Sequence, residues 1–220
     1  MTAHQELATV IGDVVRSREL PDQRRLLEDL AAALDWLAGI VPASQPLRPS
    51  VGDEFQGAYA SLSQALLATL LLRLRLQERI DVRFGVGWGT VTVLDPSRVP
   101  AGQSGTAWWS AREAIEHVGR VDAGAKGWPE GLRTWFAGGD EALRGVVNAH
   151  LVCRDHILWR MDAIDARIAL AMFLGTNQVE MERELGIKQP TISRRQRRRG
   201  PSALYRAQES LRAMATAVAT

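Results

Sequence analysis

The amino-acid sequence predicts an α+β fold in which a sheet domain precedes an all-helical segment. In the amino-terminal part, short β-branched or alternating apolar runs are separated by stretches of helical periodicity. Beyond about residue 151 the apolar residues recur at helical spacing alone. The length of 220 residues allows two small domains, which we place at residues 1–150 and 151–220.

Six elements follow one another in the first 95 residues. The apolar run at residues 7–12 is typical of a buried strand. Leucines and alanines at helical spacing predict a helix over residues 23–40, with Pro21 just before it, where a first helical turn tolerates proline. The remaining elements are a strand, a strand, a helix and a strand, predicted at residues 47–51, 55–60, 62–79 and 81–94. This order is the ferredoxin-like βαββαβ pattern.

Glycines alternate along the last of these strands, at Gly85, Gly87 and Gly89. They lack the following helix of a dinucleotide-binding fingerprint, so they predict close approach of another backbone. Further helices are predicted at residues 108–117, 163–174 and 202–218.

Composition excludes several classes of protein. Cys153 is the only cysteine, which excludes an intramolecular disulfide and a cysteine-rich zinc site. The longest apolar stretch is interrupted by Arg73 and Arg75 and is too short to cross a bilayer. The first residues do not resemble a secretory signal, so we expect a cytoplasmic protein that does not bind membranes.

Charge is distributed unevenly along the chain. Residues 1–150 hold 15 basic and 18 acidic residues, a net charge of −3, whereas residues 151–220 hold 12 and 7, a net charge of +5. Five arginines fall within residues 194–199. This asymmetry predicts an anionic partner at the carboxy-terminal end.

Residues 176–199 have the pattern of two short helices joined by a tight turn. Asn177 can cap the first helix, and Gly186 suits the left-handed residue that ends it. Pro190 falls in the first turn of the second helix. The stretch 178–194 resembles the helix-turn-helix of many bacterial regulators, which implies a second helix that enters the major groove of duplex DNA.

The outward residues of the second helix are the predicted DNA contacts. Gln can pair with adenine and Arg with guanine, whereas Ser and Thr reach bases or phosphates. The predicted base-facing residues are Gln189, Thr191, Ser193, Arg194 and Arg195. The predicted phosphate contacts are Arg197, Arg198 and Arg199. The alternative is a structural helical hairpin with a solvated basic face.

Two carboxylates are predicted to meet at one edge of the sheet. Asp13 ends the first strand, and Asp53 lies in the turn between the second and third strands. In the βαββαβ topology the third strand starts beside the end of the first. Two carboxylates suit Mg²⁺ or Mn²⁺, which could support phosphoryl or nucleotidyl transfer. The alternative is structural: Asp13 caps a turn and Asp53 is an ordinary hairpin residue.

Four motifs along the chain resemble the SatD family of bacterial proteins. They lie in order at residues 11–18, 51–57, 82–89 and 111–115. Members of that family pair such an amino-terminal region with a carboxy-terminal helix-turn-helix. The resemblance implies this two-part architecture, and no defined activity accompanies it.

The same motifs more distantly resemble class III nucleotidyl cyclases and GGDEF domains. Those proteins use a βαββαβ core, with a metal-binding Asp after the first strand and a second acid in the hairpin turn. The resemblance implies that Asp13 and Asp53 are the metal ligands and that Glu54 is a further candidate. The late-helix Asn and Arg of the cyclases are not matched, because Trp109 and Arg112 stand near those positions.

We therefore predict a DNA-binding transcription regulator whose cyclase-like domain acts as a sensor or dimerisation module. Helix-turn-helix proteins commonly bind two half-sites, so we expect a homodimer, with the tryptophan-rich surface near residues 108–135 as a candidate interface. The first alternative is a metal-dependent, nucleotidyl cyclase-like enzyme that makes or cleaves nucleotides, with DNA binding secondary. The second is a scaffold whose basic helix docks on another protein.

Overall fold

The computed structural model describes residues 5–19, 22–77, 79–95 and 102–218. The strands are β1 (Gln5–Val14), β2 (Gln45–Pro49), β3 (Phe55–Tyr59), β4 (Val82–Asp95), β5 (Gly102–Ser104) and β6 (Thr134–Gly138). The helices are α1 (Gln23–Ala38), α2 (Leu62–Leu76), α3 (Thr106–Asp122), α4 (Glu141–Arg160), α5 (Ala163–Phe173), α6 (Gln178–Leu185), α7 (Gln189–Arg198) and α8 (Pro201–Val218). Pro21, predicted in the first turn of a helix, lies outside the described residues; the N-cap of α1 is Asp22.

The sheet has the neighbour order β2-β3-β1-β4. Each of these pairs is antiparallel, and the register sets Gly12 opposite both Phe55 on β3 and Phe84 on β4. On its other side β4 pairs in parallel with β6 along residues 84–88, and its distal end pairs with β5. β1 therefore lies inside the sheet, which explains its continuous apolar run.

Helices cover both faces of the sheet. Side chains alternate along β1, so Val10 packs with α1 and α2 whereas Ile11 packs against α3. α2 is apolar on nearly every side, because it is covered by α1, by the sheet and by α5 and α8. Its first turn is fixed by a capping box in which Ser61 and Gln64 satisfy each other's backbone amides.

The stretch at residues 120–150 contains β6 and the first half of α4, which were not predicted. β6 has only five residues and ends at Gly138, which adopts a left-handed φ of 97°. α4 buries an Arg154–Asp155 pair among its apolar positions, so its inward face lacks a continuous apolar stripe. The predicted domain boundary at residue 150 falls inside α4, which runs on to Arg160.

The carboxy-terminal helices pack on one another and on the sheet layer. Ile168 of α5, Met181 of α6 and Ile192 of α7 form a small core of their own. α8 returns to α2, where the side-chain amide of Gln208 donates to the carbonyl of Ser63 at 3.0 Å. Among the described helices, none combines the length and apolar character needed to cross a membrane.

Candidate functional site

The predicted carboxylates lie at one edge of the sheet. Gly12 pairs with Phe55, so the next residue of β1, Asp13, comes level with Glu54, the residue just before β3. Asp53 precedes Glu54 in the turn from β2, and its charge acts on the Arg83 guanidinium. The chain therefore brings Asp13, Asp53 and Glu54 to the same region.

Arg83 occupies the position that a cation would take beside Asp13. The register sets Arg83 directly across from Asp13, and its guanidinium donates to both carboxylate oxygens, at 2.8 Å and 2.9 Å. The hydrogen bond to Asp13 raises the pKa of Arg83, and the charges of Asp13, Asp122 and Asp53 raise it further. Such a bidentate pair uses both oxygens of the aspartate.

A second arginine pairs with the other acid. Arg112 of α3 donates to the two carboxylate oxygens of Glu54, at 2.7 Å and 2.8 Å. Within the described ranges, no group of three or more His, Cys, Asp or Glu side chains is arranged to hold a metal ion. Because Arg83 and Arg112 engage the oxygens of Asp13 and Glu54, this arrangement does not fit Mg²⁺ or Mn²⁺.

Neither arginine was identified from the sequence. In the sequence, Arg112 stands out only because it lies near, but not at, the position of the late-helix arginine of the cyclases. Arg83 could have been found from strand pairing, since residues opposite each other on antiparallel strands have adjacent side chains. Their role depends on the register of β1 against β4, which a linear pattern of residues does not fix.

The two helices α6 and α7 are joined by a turn that follows the predicted one. Asn177 caps α6 and forms a capping box with Glu180. Gly186 ends α6 in the left-handed conformation, with φ 68° and ψ 21°. Pro190 lies in the first turn of α7, where the missing N–H has no helical partner to lose.

The arginines of α7 fall into two groups. Arg194, Arg197 and Arg198 are exposed and make no ion pair within the described part of the chain. Their spacing puts them on one face of the helix. We call this face, with its three arginines, the basic face of α7. Gln189, Thr191 and Ser193 are only partly exposed beside it.

Arg195 instead faces into the protein, although it was predicted to face outward. Its side chain is 19% exposed, and it donates to Asp165 at 2.8 Å and also binds Asp162. Arg199 lies near the same two acids, 3.5 Å from Asp165. The hydrogen bond from Arg195 lowers the pKa of Asp162, and burial raises that of Asp165. These pairs fix α7 to the start of α5.

The tryptophans near residues 108–135 do not share one environment. Trp108 is buried against β1, whereas Trp109 is 67% exposed. Trp128 and Trp135 pack around the ring of His117, with ring centroids 5.1 Å and 4.4 Å from it. Trp128 is 37% exposed, so of these tryptophans Trp109 presents the most surface.

Solved structures of nucleotidyl cyclases are similar to part of the chain. One is a bacterial light-regulated adenylyl cyclase, at 12% identity and a TM-score of 0.48, with 62% of this chain and 44% of that one covered. Others are the guanylyl cyclase Cya2 (13% identity, TM-score 0.40, 53% and 72% covered) and the adenylyl cyclase CyaB from P. aeruginosa (16%, 0.37, 60% and 88%). The aligned region spans less than half of the first of these proteins.

A family model covers far more of the chain. None of the proteins with a curated function matches the sequence. The model described as the SatD family matches residues 7–206, from β1 into α8, and so includes the sheet, the carboxylate edge and the α6–α7 unit. The chain therefore belongs to the SatD family.

Proposed function

We propose that the protein binds duplex DNA through a helix-turn-helix formed by α6 and α7, and that it regulates transcription. The observation that carries this proposal is the basic face of α7. Arg194, Arg197 and Arg198 present three positive charges that no described acid neutralises. Unpaired arginines on one helix face suit the regularly spaced phosphates of a duplex.

The neighbouring helices hold α7 in a fixed position, as a helix that contacts DNA bases requires. Ile192 is fully buried against Ile168 and Met181, and Arg195 ties α7 to α5. The half-exposed Gln189, Thr191 and Ser193 lie towards the amino-terminal end of α7, the end that usually meets base edges in such motifs. Of the eight predicted contacts, Arg195 and Arg199 are assigned to holding α7, and the remaining six to DNA.

The sheet is proposed as a ferredoxin-like βαββαβ module that senses a ligand or brings two copies together. Its support is the antiparallel order β2-β3-β1-β4 with α1 and α2 on one face. A homodimer would present two copies of α7 to two half-sites. The exposed indole of Trp109 is the side chain we propose for the contact between copies.

Removing charge from the basic face should weaken DNA binding. We expect Arg194→Ala/Arg198→Ala to lower duplex affinity, and to reduce the slope of log K against log salt by about 1.8, since each phosphate contact contributes roughly 0.9. Fluorescence anisotropy with a labelled random-sequence duplex, titrated at several salt concentrations, measures both quantities.

A matched variant separates this effect from net charge alone. Arg24 and Arg25 are exposed on α1, so Arg24→Ala/Arg25→Ala makes the same change in net charge away from α7. We expect this control to keep the wild-type affinity and salt slope. An Arg194→Ala/Arg198→Ala protein that binds as tightly as wild type, or a control that loses as much, refutes the proposal.

The second candidate function is metal-dependent binding or processing of a nucleotide at Asp13 and Asp53. The register that brings these residues to one edge of the sheet favours it. Arg83 opposes it, because a cation would first have to displace the guanidinium from Asp13. We therefore prefer DNA binding over this second candidate function.

Thermal unfolding with Mn²⁺ and each nucleoside triphosphate tests the second candidate. A ligand at about 100 times its dissociation constant stabilises the folded state by roughly 2.7 kcal/mol, a readily measured rise in Tm. We expect no Mn²⁺-dependent rise in the wild-type protein. A rise that Asp53→Asn abolishes would instead establish a metal–nucleotide site and contradict the conclusion that the Arg83–Asp13 pair keeps a cation out.

A further inference from the structure

A cleft that neither function uses lies where the end of β1, the start of β4 and the last turn of α4 meet. It consists of an outer cavity of about 590 Å³ and a deeper one of about 250 Å³. The two share Gln77, Ile80, Asp81 and Trp159, so they adjoin one another. The outer volume is within the range of pockets that hold small organic ligands.

Trp159 presents an open aromatic ring in this cleft. Its side chain is 52% exposed, unusual for a tryptophan, and its base rests on Gly131, where a Cβ would come within 2.4 Å of it. The amide of Gln77 donates to the carbonyl of Met161 at 3.0 Å, which fixes the end of α4 against α2. A ring that is held at its base and half exposed in a cleft is suited to stack a planar ligand.

The opposite rim is formed by a turn with a strained backbone. Arg16 has a φ of 52°, and it is the one non-glycine residue with a positive φ among those described. Two backbone hydrogen bonds hold the turn in place. Val15 donates its N–H to the backbone carbonyl of Asp81 at 2.9 Å, and Glu19 donates its N–H to the backbone carbonyl of Arg16, also at 2.9 Å. Strained residues of this kind concentrate where a side chain must be aimed at a ligand.

The charged side chains inside the cleft form close ion pairs, whereas the two arginines on its rim have no close partner among the described residues. Arg133 on the wall binds Asp81 at 2.8 Å and Asp122 at 2.9 Å. On the rim, Arg16 has no ion-pair partner within the described ranges. Arg79 has only a loose one, Asp29 at 3.6 Å. The cleft thus offers positive charge at its mouth and carboxylates along its wall.

We propose that this cleft binds a nucleoside monophosphate. The base stacks on Trp159, and the sugar hydroxyls donate to the carboxylates of Asp81 and Glu19, which also line the outer cavity. The phosphate binds the guanidinium groups of Arg16 and Arg79. Binding of this kind needs no metal ion, because two arginines supply the positive charge.

Isothermal titration calorimetry of the full chain in EDTA tests the proposal, with AMP, GMP, adenosine and inorganic phosphate as separate ligands. We expect AMP or GMP to bind, and adenosine and phosphate each to bind at least about tenfold more weakly, since each makes only part of the contacts. Trp159→Leu should weaken nucleotide binding at least about tenfold, the usual size of a lost base stack. Arg16→Ala should weaken AMP by a similar factor but leave adenosine unchanged.

Matched variants keep the test decisive. Val146→Ala shortens an exposed apolar side chain on α4 that does not line the cleft, and this variant should bind AMP as wild type does. Trp159→Phe keeps an aromatic face and should retain most of the affinity, which guards against an effect of misfolding in Trp159→Leu. DNA binding does not enter the measurement, so its outcome is independent of the function proposed above.

Three results would overturn the proposal. The first is no heat of binding for any nucleotide with the folded wild-type protein. The second is that inorganic phosphate binds as tightly as AMP, which would show an anion site without base recognition. The third is binding that is absent in EDTA, appears when the titration is repeated with Mn²⁺ in place of EDTA, and is abolished by Asp53→Asn, which would place the nucleotide at the carboxylate edge.

Discussion

Asp155→Asn is expected to lower the free energy of unfolding by about 3–5 kcal/mol, the usual effect of breaking a buried ion pair from one side. Asp155 is fully buried between two arginines, 2.6 Å from Arg73 and 3.0 Å from Arg154. It also accepts the backbone N–H of Arg133 at 2.7 Å. Asparagine keeps the volume of the side chain but removes the charge that balances both guanidinium groups.

The expected loss of unfolding free energy is large because of Arg154. It is buried in the core, and burial lowers its pKa, because the charged form has lost the solvation of water. Its remaining partners are neutral, the hydroxyls of Thr69 and Thr134 and the carbonyl of Leu66. In Asp155→Asn the guanidinium would stay charged and buried without a counter-ion.

Urea unfolding measures this loss as a fall in the transition midpoint at an unchanged slope. The control is Glu28→Gln, which breaks the exposed pair of Glu28 with Arg24 one helical turn away. That change should cost no more than about 0.5 kcal/mol. A loss in Asp155→Asn as small as in the control would mean that water, and not Asp155, compensates Arg154.

Elements set by local patterns could be predicted from the sequence. The apolar run at residues 7–12 marks the centre of β1, and helical spacing locates α1 and α5 to within two residues. Gly186 and Pro190 fix the turn between α6 and α7, because their backbone geometry suits the end of one helix and the start of the next. Each of these signals lies within a few residues of the feature that it predicts.

Features set by contacts between distant residues could not be predicted in the same way. The role of Arg83 follows from the register of β1 against β4, which joins residues 70 positions apart. The inward orientation of Arg195 depends on where α5 places Asp165, 30 positions earlier. The apolar pattern of α4 was not recognisable in the sequence, because the charged pair Arg154 and Asp155 takes inward positions that usually hold apolar residues.

Gly85→Ala is expected to cost at least about 3 kcal/mol of folding free energy, the upper end of the range for overpacked cores. A Cβ at this position of β4 would lie 2.0 Å from the carbonyl oxygen of Ala111 and 2.4 Å from the backbone nitrogen of Ile115. Both atoms belong to the backbone of α3, which has no side-chain rotation to relieve the clash. The predicted close approach of a second backbone at this glycine series is therefore made by α3.

The same substitution in α4 should have the opposite sign. Gly145 lies inside that helix, and a Cβ there would meet no atom within 4 Å. Gly145→Ala should therefore stabilise the protein by about 0.5–1 kcal/mol, because alanine restricts the unfolded chain and favours the helix. Urea unfolding of the two variants side by side gives both signs under one set of conditions.

The size of the loss in Gly85→Ala also tests how α3 sits on the sheet. Gly87 makes an equally close approach, with a Cβ there 2.1 Å from the carbonyl oxygen of Ala107, so the helix is in contact along two successive inward positions of β4. To admit a methyl group at either position, α3 must lift away from β4, and the Arg112–Glu54 pair must then lengthen with it. If Gly85→Ala unfolds at the wild-type urea midpoint, α3 is free to move outward, and the Arg112–Glu54 pair does not fix its position on the sheet.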